Sequence, residues 1–513
     1  MRSKTVVPLL VFLLSFFLYF LSTEHLIATV HWPTGDEPYY LLIAHSLVHD
    51  GDFELTNNFK NEDYLHYYPG LLYPRHEAVT PKPILVSKHS LGVPLLIAPA
   101  YALGDWHGAA HTMNLFGALL AVNIFLLARE TSGSTRAALI VWLALAFATP
   151  FFTYAELIFP EAPAALLIVY AWRHLRAWHN ANPLQRFFVA LCLASLPWLH
   201  ARFLFVVAGL ALYQLVNIGM IHHRGTENTE KNNTKLQAFR DVTANFFPML
   251  ISAALFVAYN VYVYASPLPN YADHSGSGHP AEIFAAFFGV FLDQQWGLLN
   301  HAPIYLIALT AFVYFRFQIS DFRLKENAMG FNLPSTIGNL QLKWLALIAL
   351  PYFILIVQYR YWWGEWCPPA RYLTPILPLL VGPLALAVTH IHMARFKTIF
   401  IMLTVWGWGV ALMFAANGKL MYNHPLGKSA LLVALSDWLP IDLTRFEPSF
   451  IMMFLKDFDV PLWIATQTVL TIAWLVGLLG VVALALGWSW SPRNTLTPAR
   501  NFPIIRATST PEE

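Results

Sequence analysis

Two adjacent carboxylates, Asp36 and Glu37 in His31-Trp-Pro-Thr-Gly-Asp-Glu-Pro-Tyr-Tyr40, follow the first long uncharged run of the chain. Carboxylates beside a membrane are costly to desolvate and are usually kept for ion handling or chemistry. A carboxylate that reaches a hydroxyl can take its proton as a general base. The bland alternative is a helix cap, a common place for Asp. A second acidic cluster, Tyr154-Ala-Glu156-Leu-Ile-Phe-Pro160-Glu161-Ala-Pro163, sits in a turn between two apolar runs. There Glu161 opens a helix directed back toward the face that carries Asp36. Two carboxylates that converge from distant sequence suit acid–base work.

Cations form the third group. Lys82, Lys88, Arg202 and Arg371 all stand where apolar segments emerge. Guanidinium and ammonium groups at such ends suit an anionic ligand such as a lipid phosphate, while snorkelling to headgroups explains any one of them. The fourth group is Tyr359-Arg-Tyr-Trp-Trp-Gly-Glu365-Trp-Cys-Pro-Pro-Ala-Arg371-Tyr. Aromatic belts at interfaces account for a tryptophan there. They do not account for the charge among the rings. Trp363 beside Glu365 would suit a sugar ring.

These residues must be positioned by membrane helices. The chain is 57% hydrophobic and 12% charged, with mean hydropathy +0.50, and Val6–Leu21 and Leu462–Leu486 carry no charge. The sequence predicts an all-α polytopic membrane protein. The first run has Arg2 and Lys4 before it and no small-residue cleavage site after it, so it reads as a retained anchor. Leu91–Leu103 is apolar but thirteen residues long and holds Pro94 and Pro99; a span needs about 20 residues. With that segment lying at the surface, twelve spans remain, near 6–22, 109–128, 137–155, 158–172, 187–200, 203–221, 244–265, 302–315, 344–359, 372–389, 398–416 and 462–487. Both termini are then cytosolic, and 20 of the 31 basic residues fall inside. A spanning Leu91–Leu103 would leave only 9 inside, against the positive-inside rule. Most of the acids face outward, into segments 23–108, 266–301, 360–371 and 417–461, so function is expected on that face.

Several classes drop out. A net charge of +2 gives no reason to expect nucleic acid. Cys192 and Cys367 make neither a disulfide framework nor a CxxC site. The histidines show no HExxH-type spacing and no dense carboxylate cage is present, so no cofactor is indicated, while a divalent metal stays open. The connectors 222–241 and 318–342 read as polar and loosely ordered. No internal repeat supports an inverted-repeat transporter.

Taken in order, these motifs resemble the GT-C superfamily of membrane glycosyltransferases, in particular the branch with the protein O-mannosyltransferases and lipid A aminoarabinose transferases. Asp36-Glu37 matches its acidic motif after span one, at the head of the first of two juxtamembrane helices. The helix after Pro38 carries Tyr40, Ile43, Ala44 and Leu47 on one face, expected to rest in lipid. Lys88 in Ser87-Lys-His-Ser-Leu-Gly-Val-Pro94 matches a Lys-bearing turn before the second helix, which Leu91–Leu103 resembles. Trp296-Gly-Leu-Leu-Asn-His-Ala-Pro303 and Trp362-Trp-Gly…Pro-Ala-Arg371-Tyr-Leu-Thr-Pro are similar to later motifs, and the likeness covers roughly residues 1–380.

The resemblance implies a catalytic domain over 1–389, further membrane helices over 390–487 and a cytosolic tail over 488–513. It implies a hexosyl- or pentosyltransferase of the bacterial inner membrane. Sugar would pass from polyprenyl phosphate, with inversion, to a hydroxyl of a glycan, glycolipid or protein on the extracytoplasmic face. Asp36 would be the base. Glu37, Glu156, Glu161, Trp363 and Glu365 would serve the acceptor or sugar, with Glu37 also holding the loop. Lys88, Arg202, Arg371 and Lys82 would meet the donor phosphate. A transporter or flippase of a lipid-linked glycan is the rival reading; it calls for ionisable residues along a mid-membrane path, which are scarce here.

Overall fold

The computed structural model describes residues 2–74, 80–225, 231–269, 280–325, 342–391, 393–423, 427–450 and 460–486. The tail 488–513 lies outside them, as do parts of both connectors. The described residues are helices, turns and loops, in this order: α1 (Arg2–Val30), α2 (Glu37–His49), α3 (Thr56–Lys60), α4 (Gly92–Ser132), α5 (Thr135–Ala146), α6 (Phe151–Tyr154), α7 (Glu161–Arg176), α8 (Pro183–Leu199), α9 (Leu204–Gly225), α10 (Lys231–Tyr264), α11 (Pro280–Leu292), α12 (Leu298–His301), α13 (Ile304–Lys325), α14 (Leu342–Gln358), α15 (Val381–His390), α16 (Ala394–Ala416), α17 (Ala430–Ser436) and α18 (Val460–Leu486).

Ten of the twelve predicted spans fall on a single helix, and five of the described helices are long and apolar enough to cross a membrane. The apolar surface is turned outward as lipid requires. Leu9, Leu10, Leu13 and Phe17 of α1, Ile401, Met402, Val405 and Leu412 of α16, and Val469, Ile472, Val476 and Leu479 of α18 are all exposed. In water such patches would drive association. Inside, α4 packs against α1, α2, α5 and α7. Side-chain hydrogen bonds cross this interior: Tyr19 donates to the Ala146 carbonyl at 2.8 Å and Trp142 to Ser15 Oγ at 3.1 Å.

Local chemistry sets the helix ends. The Asn182 side chain accepts from the Gln185 amide while Gln185 accepts from the Asn182 amide, a full capping box, with Pro183 in the first turn of α8. Ser134 caps α5, and Gly133 closes α4 at φ 68°. Within α4 the backbone leaves helical geometry at Gly104 and Asp105, the latter at φ 52°. That break divides Gly92–Leu103 from the predicted span 109–128, the separation that the charge balance required. Gly108 lets the second limb run against the Ala100 carbonyl, which a Cβ would strike.

Three expectations need correction. Span 137–155 is not one helix: α5 stops at Ala146, and Pro150, which disfavours helical geometry in the residue before it, separates it from α6. Span 372–389 starts as turns and a 3-10 segment, with regular helix only from Val381; Pro375, Pro378 and Pro383 explain this. The apolar face of α2 does not rest in lipid. Tyr40, Leu41, Leu42, Ile43 and Ala44 are almost fully buried in the protein core. Within segment 266–301 the structure adds helix α11, whose residues Ile283–Leu292 are all apolar.

Gly92 sits where α4 begins, and a Cβ there would lie 2.5 Å from the Trp198 carbonyl at the end of α8. This backbone-on-backbone approach holds the Lys88–His89 turn beside His200 and Arg202. Gly92→Val is expected to destabilise the protein by about 1–3 kcal/mol through overpacking. Thermal unfolding of the detergent-purified protein measures it; an unchanged midpoint would mean that the two backbones are not in contact.

Candidate active site

Asp36 precedes the first turn of α2, but its side chain makes no cap hydrogen bond. The capping explanation therefore fails for it. Instead Oδ2 accepts from Arg371 Nη2, and Oδ1 lies 4.0 Å from His89 Nε2. The carboxylate is about one-fifth exposed. Gly35, at φ 63°, makes this placement possible: a Cβ there would lie 2.5 Å from the Trp366 carbonyl. Only glycine adopts that backbone and that approach at little cost.

Arg371 links the parts. Its Nε donates to Glu161 Oε1 at 3.2 Å, its Nη1 to the Gly364 carbonyl at 2.9 Å, and its third arm reaches Asp36. Glu161 Oε1 also accepts from Arg202 Nη2 at 2.6 Å. Two carboxylates and two guanidiniums thus alternate as Asp36, Arg371, Glu161 and Arg202, with Glu161 fully buried and both arginines 8% exposed. Arg202 further lies 4.6 Å from the Tyr372 ring centroid, and Arg371 4.7 Å from that of Phe159. Burial works against the Arg371 cation, but Asp36 and Glu161 outweigh it and hold its pKa above the ordinary arginine value. Glu161 Oε2 and Arg202 Nε make no hydrogen bond, so the network is not saturated.

The loop before Arg371 is held hard. Tyr154 donates to the Pro368 carbonyl and Tyr352 to the Tyr372 carbonyl, both at 2.8 Å, and the Ala370 amide donates to the Trp296 carbonyl at 2.9 Å. Gly364, Glu365 and Trp366 all have positive φ. Glycine takes this backbone freely, but Glu365 and Trp366 are strained there unless their surroundings fix them.

Beside the network opens a cavity of about 670 Å³, within the size range of ligand sites. Asp36, Lys88, His89, His200, Arg202, Glu365 and Arg371 occupy its polar wall. Leu204, Phe205, Leu268, Pro269, Leu355 and Ile356 form an apolar wall, where Leu204, Phe205 and Leu268 are exposed on the outer surface. One end thus offers cations and carboxylates, and the other opens between apolar side chains.

The structure brings Asp36, Lys88, Arg202, Arg371 and Glu365 to one cavity, with Glu161 directly behind. Four other candidates are elsewhere. Glu37 is buried, accepting from the Thr34 amide at 3.0 Å, the Ile158 amide at 2.9 Å and Tyr422 at 3.4 Å. It ties α2 to the 155–160 turn and, through Tyr422, to the loop after α16. Glu156 is buried away from the cavity, as is Trp363. Lys82 places its ammonium 3.1 Å from the Tyr262 ring centroid. Sequence reasoning missed His89, His200, Tyr40, Tyr359 and Tyr361, which also line the cavity. For His89 and His200 the only signal was nearness to Lys88 and Arg202, whereas Tyr359 and Tyr361 lay within the aromatic group and Tyr40 on the α2 face. His200 Nδ1 accepts from the Arg202 amide at 3.2 Å, which leaves its Nε2 as the donor of a neutral ring.

No protein-family model matches the chain, and no curated protein sequence matches it. Among solved structures it is similar to ArnT from Cupriavidus metallidurans in the apo state, at TM-score 0.43 and 14% identity over 95% of this chain and 74% of that one. It is similar to the same protein bound to undecaprenyl phosphate, at TM-score 0.42 and 14% identity over 95% and 75%. The Archaeoglobus fulgidus oligosaccharyltransferase in the apo form follows at TM-score 0.37 and 13% identity, over 79% of this chain and 55% of that one. The residues around Asp36, rather than these distant likenesses, support the functional reading below.

Removing one member of a buried ion-pair network leaves its partner charged and unpaired, at about 3–5 kcal/mol. Arg371→Met is expected to lose stability on that scale, and Arg371→Met with Glu161→Gln to lose less than the sum of the two single changes. Denaturation of all three variants tests this; additive losses would show that the residues do not interact.

Burial pushes the Glu37 carboxyl up to about 7, against the pull of the Ile158 and Thr34 amides. The folded protein therefore keeps this proton to higher pH than the unfolded chain. The stabilisation is complete below the usual Glu range near pH 4.5, and it is lost as pH rises through about 7. Glu37→Gln should flatten the fall in thermal midpoint between about pH 4 and about pH 8. An equally steep fall in the variant would assign it to other groups.

Proposed function

We propose that this chain is a GT-C-type glycosyltransferase that moves a sugar from a polyprenyl-phosphate donor to an acceptor hydroxyl, with inversion, on the extracytoplasmic face of the bacterial inner membrane. The observation that carries the proposal is the two-natured cavity. A polyprenyl phosphate needs an apolar slot for its tail and cations for its phosphate, and the wall from Leu204 to Leu268 leads to Lys88, Arg202 and Arg371. The outward side follows from the distribution of Lys and Arg.

In this reading the acceptor oxygen attacks the anomeric carbon while the bond from that carbon to the phosphate oxygen breaks. The electron pair leaves with the lipid phosphate, and the acceptor proton passes to the Asp36 carboxylate. The leaving group is already a stable anion, so positive charge at the phosphate matters more than a strong general acid. Lys88 lies on the cavity wall and is assigned to the phosphate. Arg371 has a second duty: by holding Oδ2 it fixes the direction of the Asp36 carboxylate, and Glu161 and Arg202 fix Arg371 in turn. Glu365, on the same wall, is assigned to sugar or acceptor hydroxyls. Glu37 is assigned to the loop. The acidic residues gather at one end of the helices, which favours an enzyme over a carrier with a mid-membrane path.

Asp36→Asn is expected to lower sugar transfer by about 10²–10⁴-fold while keeping membrane insertion, as measured with radiolabelled polyprenyl-phosphate sugars. Substantial residual transfer would remove Asp36 from the base role. Lys88→Glu is expected to weaken donor binding in the same assay; unchanged donor affinity would move the phosphate elsewhere in the cavity.

A further inference from the structure

A second cluster with metal-binding chemistry stands apart from the cavity, between α1 and the second limb of α4. It consists of Glu24, His107 and His111, each with a ligand atom within 4.8 Å of the others. His107 and His111 are four residues apart and share one helix face. His107 Nδ1 lies 3.1 Å from Glu24 Oε1, and His111 Nε2 lies 2.9 Å from the same oxygen.

The hydrogen-bond bookkeeping around His111 makes this contact informative. The amide nitrogen of buried Asn114 donates to the Ala155 carbonyl at 2.8 Å and to Thr23 Oγ1 at 2.8 Å. A carbonyl can only accept, so the orientation of this amide is fixed. Asn114 Oδ1 then faces His111 Nδ1 at 2.9 Å, and the ring nitrogen must be the donor. A neutral His111 consequently presents a bare lone pair at Nε2, aimed at a carboxylate oxygen. Two electron-rich atoms at that distance repel unless a proton or a cation lies between them. A proton on Nε2, which makes His111 an imidazolium, is one solution; a metal ion shared with His107, whose Nδ1 converges on the same oxygen, is the other.

We propose that Glu24, His107 and His111 bind a divalent transition-metal ion of the zinc class. Ligand atoms that each stand about 2.0–2.1 Å from one zinc are about 2.9–3.4 Å apart at angles of roughly 90–110°, and the two measured separations fall in that range. The set is one carboxylate oxygen and two imidazole nitrogens, a mixture zinc accepts. The exposed edge of the site, where His107 is about half exposed, leaves room for a solvent ligand. Asn114 supplies what metal-bound histidines generally have, a partner on the other ring nitrogen that fixes the tautomer. The stacked ring of Phe20, 4.4 Å away between centroids, holds the plane of His111.

The ion would pin α1 to α4 just past the break at Gly104 and Asp105. It would also act on the loop behind it. Asn114 bridges His111 to the Ala155 carbonyl, and the segment from there carries Ile158, which binds Glu37, and Glu161, which binds Arg371. The ion is therefore assigned a positioning role, with no part in sugar transfer itself, and the proposal stands or falls independently of that activity.

The test uses full-length protein in detergent, stripped with a chelator and titrated with Zn²⁺ or Co²⁺ alone. Wild type is expected to take up one ion per chain, to give the intense visible absorption of tetrahedral Co²⁺, and to gain thermal stability with Zn²⁺. His107→Ala, at an exposed position that should not disturb folding, is expected to weaken binding by about 100-fold or more, as is His111→Ala; loss of an orienting partner alone costs 10–100-fold. Failure of wild type to bind Zn²⁺ or Co²⁺, or equal binding by wild type and the His107→Ala variant, would overturn the assignment.

Discussion

The site depends on the alternation of charge from Asp36 through Arg371 and Glu161 to Arg202. Taking four ionised groups out of water is expensive, and a buried ion pair repays the cost only when hydrogen bonds satisfy its members. Here one guanidinium satisfies three acceptors at once, and Glu161 holds two guanidiniums on a single oxygen. Apolar residues would fill the same space more cheaply. What the charges achieve is direction: a carboxylate from the first loop is held at the wall of a cavity by an arginine more than three hundred residues away in sequence.

Because each member comes from a different element, the network also explains the architecture around it. Gly35 and Gly364 provide backbone that side chains would block. Tyr154, Tyr352 and Trp296 anchor the loop that delivers Arg371. Glu37, one residue from the cavity carboxylate, turns inward to bind backbone amides. Adjacent acids thus point in opposite directions: Asp36 faces the cavity, and Glu37 fastens the helix that presents it.

Much of this was legible in the sequence. Uncharged runs gave the membrane helices, and the short length and prolines of Leu91–Leu103 set it apart from the spans, as the break at Gly104 and Asp105 bears out. The motif residues Asp36, Lys88, Arg202, Glu365 and Arg371 do share one cavity. Other features were not readable. Hydropathy does not distinguish lipid from a protein core, so the buried face of α2 was assigned to lipid. Prolines near positions 150 and 375–383 broke helices that hydropathy alone ran through. Glu37, Glu156, Lys82 and Trp363 have the right residue types, but side-chain direction depends on tertiary neighbours such as Ile158 and Tyr262. His89 and His200 gave no spacing signal, because their relation exists only after α4 meets the end of α8.

The most direct measurement is a cryo-electron microscopy structure of the full chain in nanodiscs with polyprenyl phosphate bound. The phosphate should lie within hydrogen-bond reach of Lys88 at the Asp36 end of the cavity, with the isoprenoid tail along Leu204, Phe205 and Leu268. A phosphate bound at another surface, or a tail that leaves this apolar wall empty, would contradict the account.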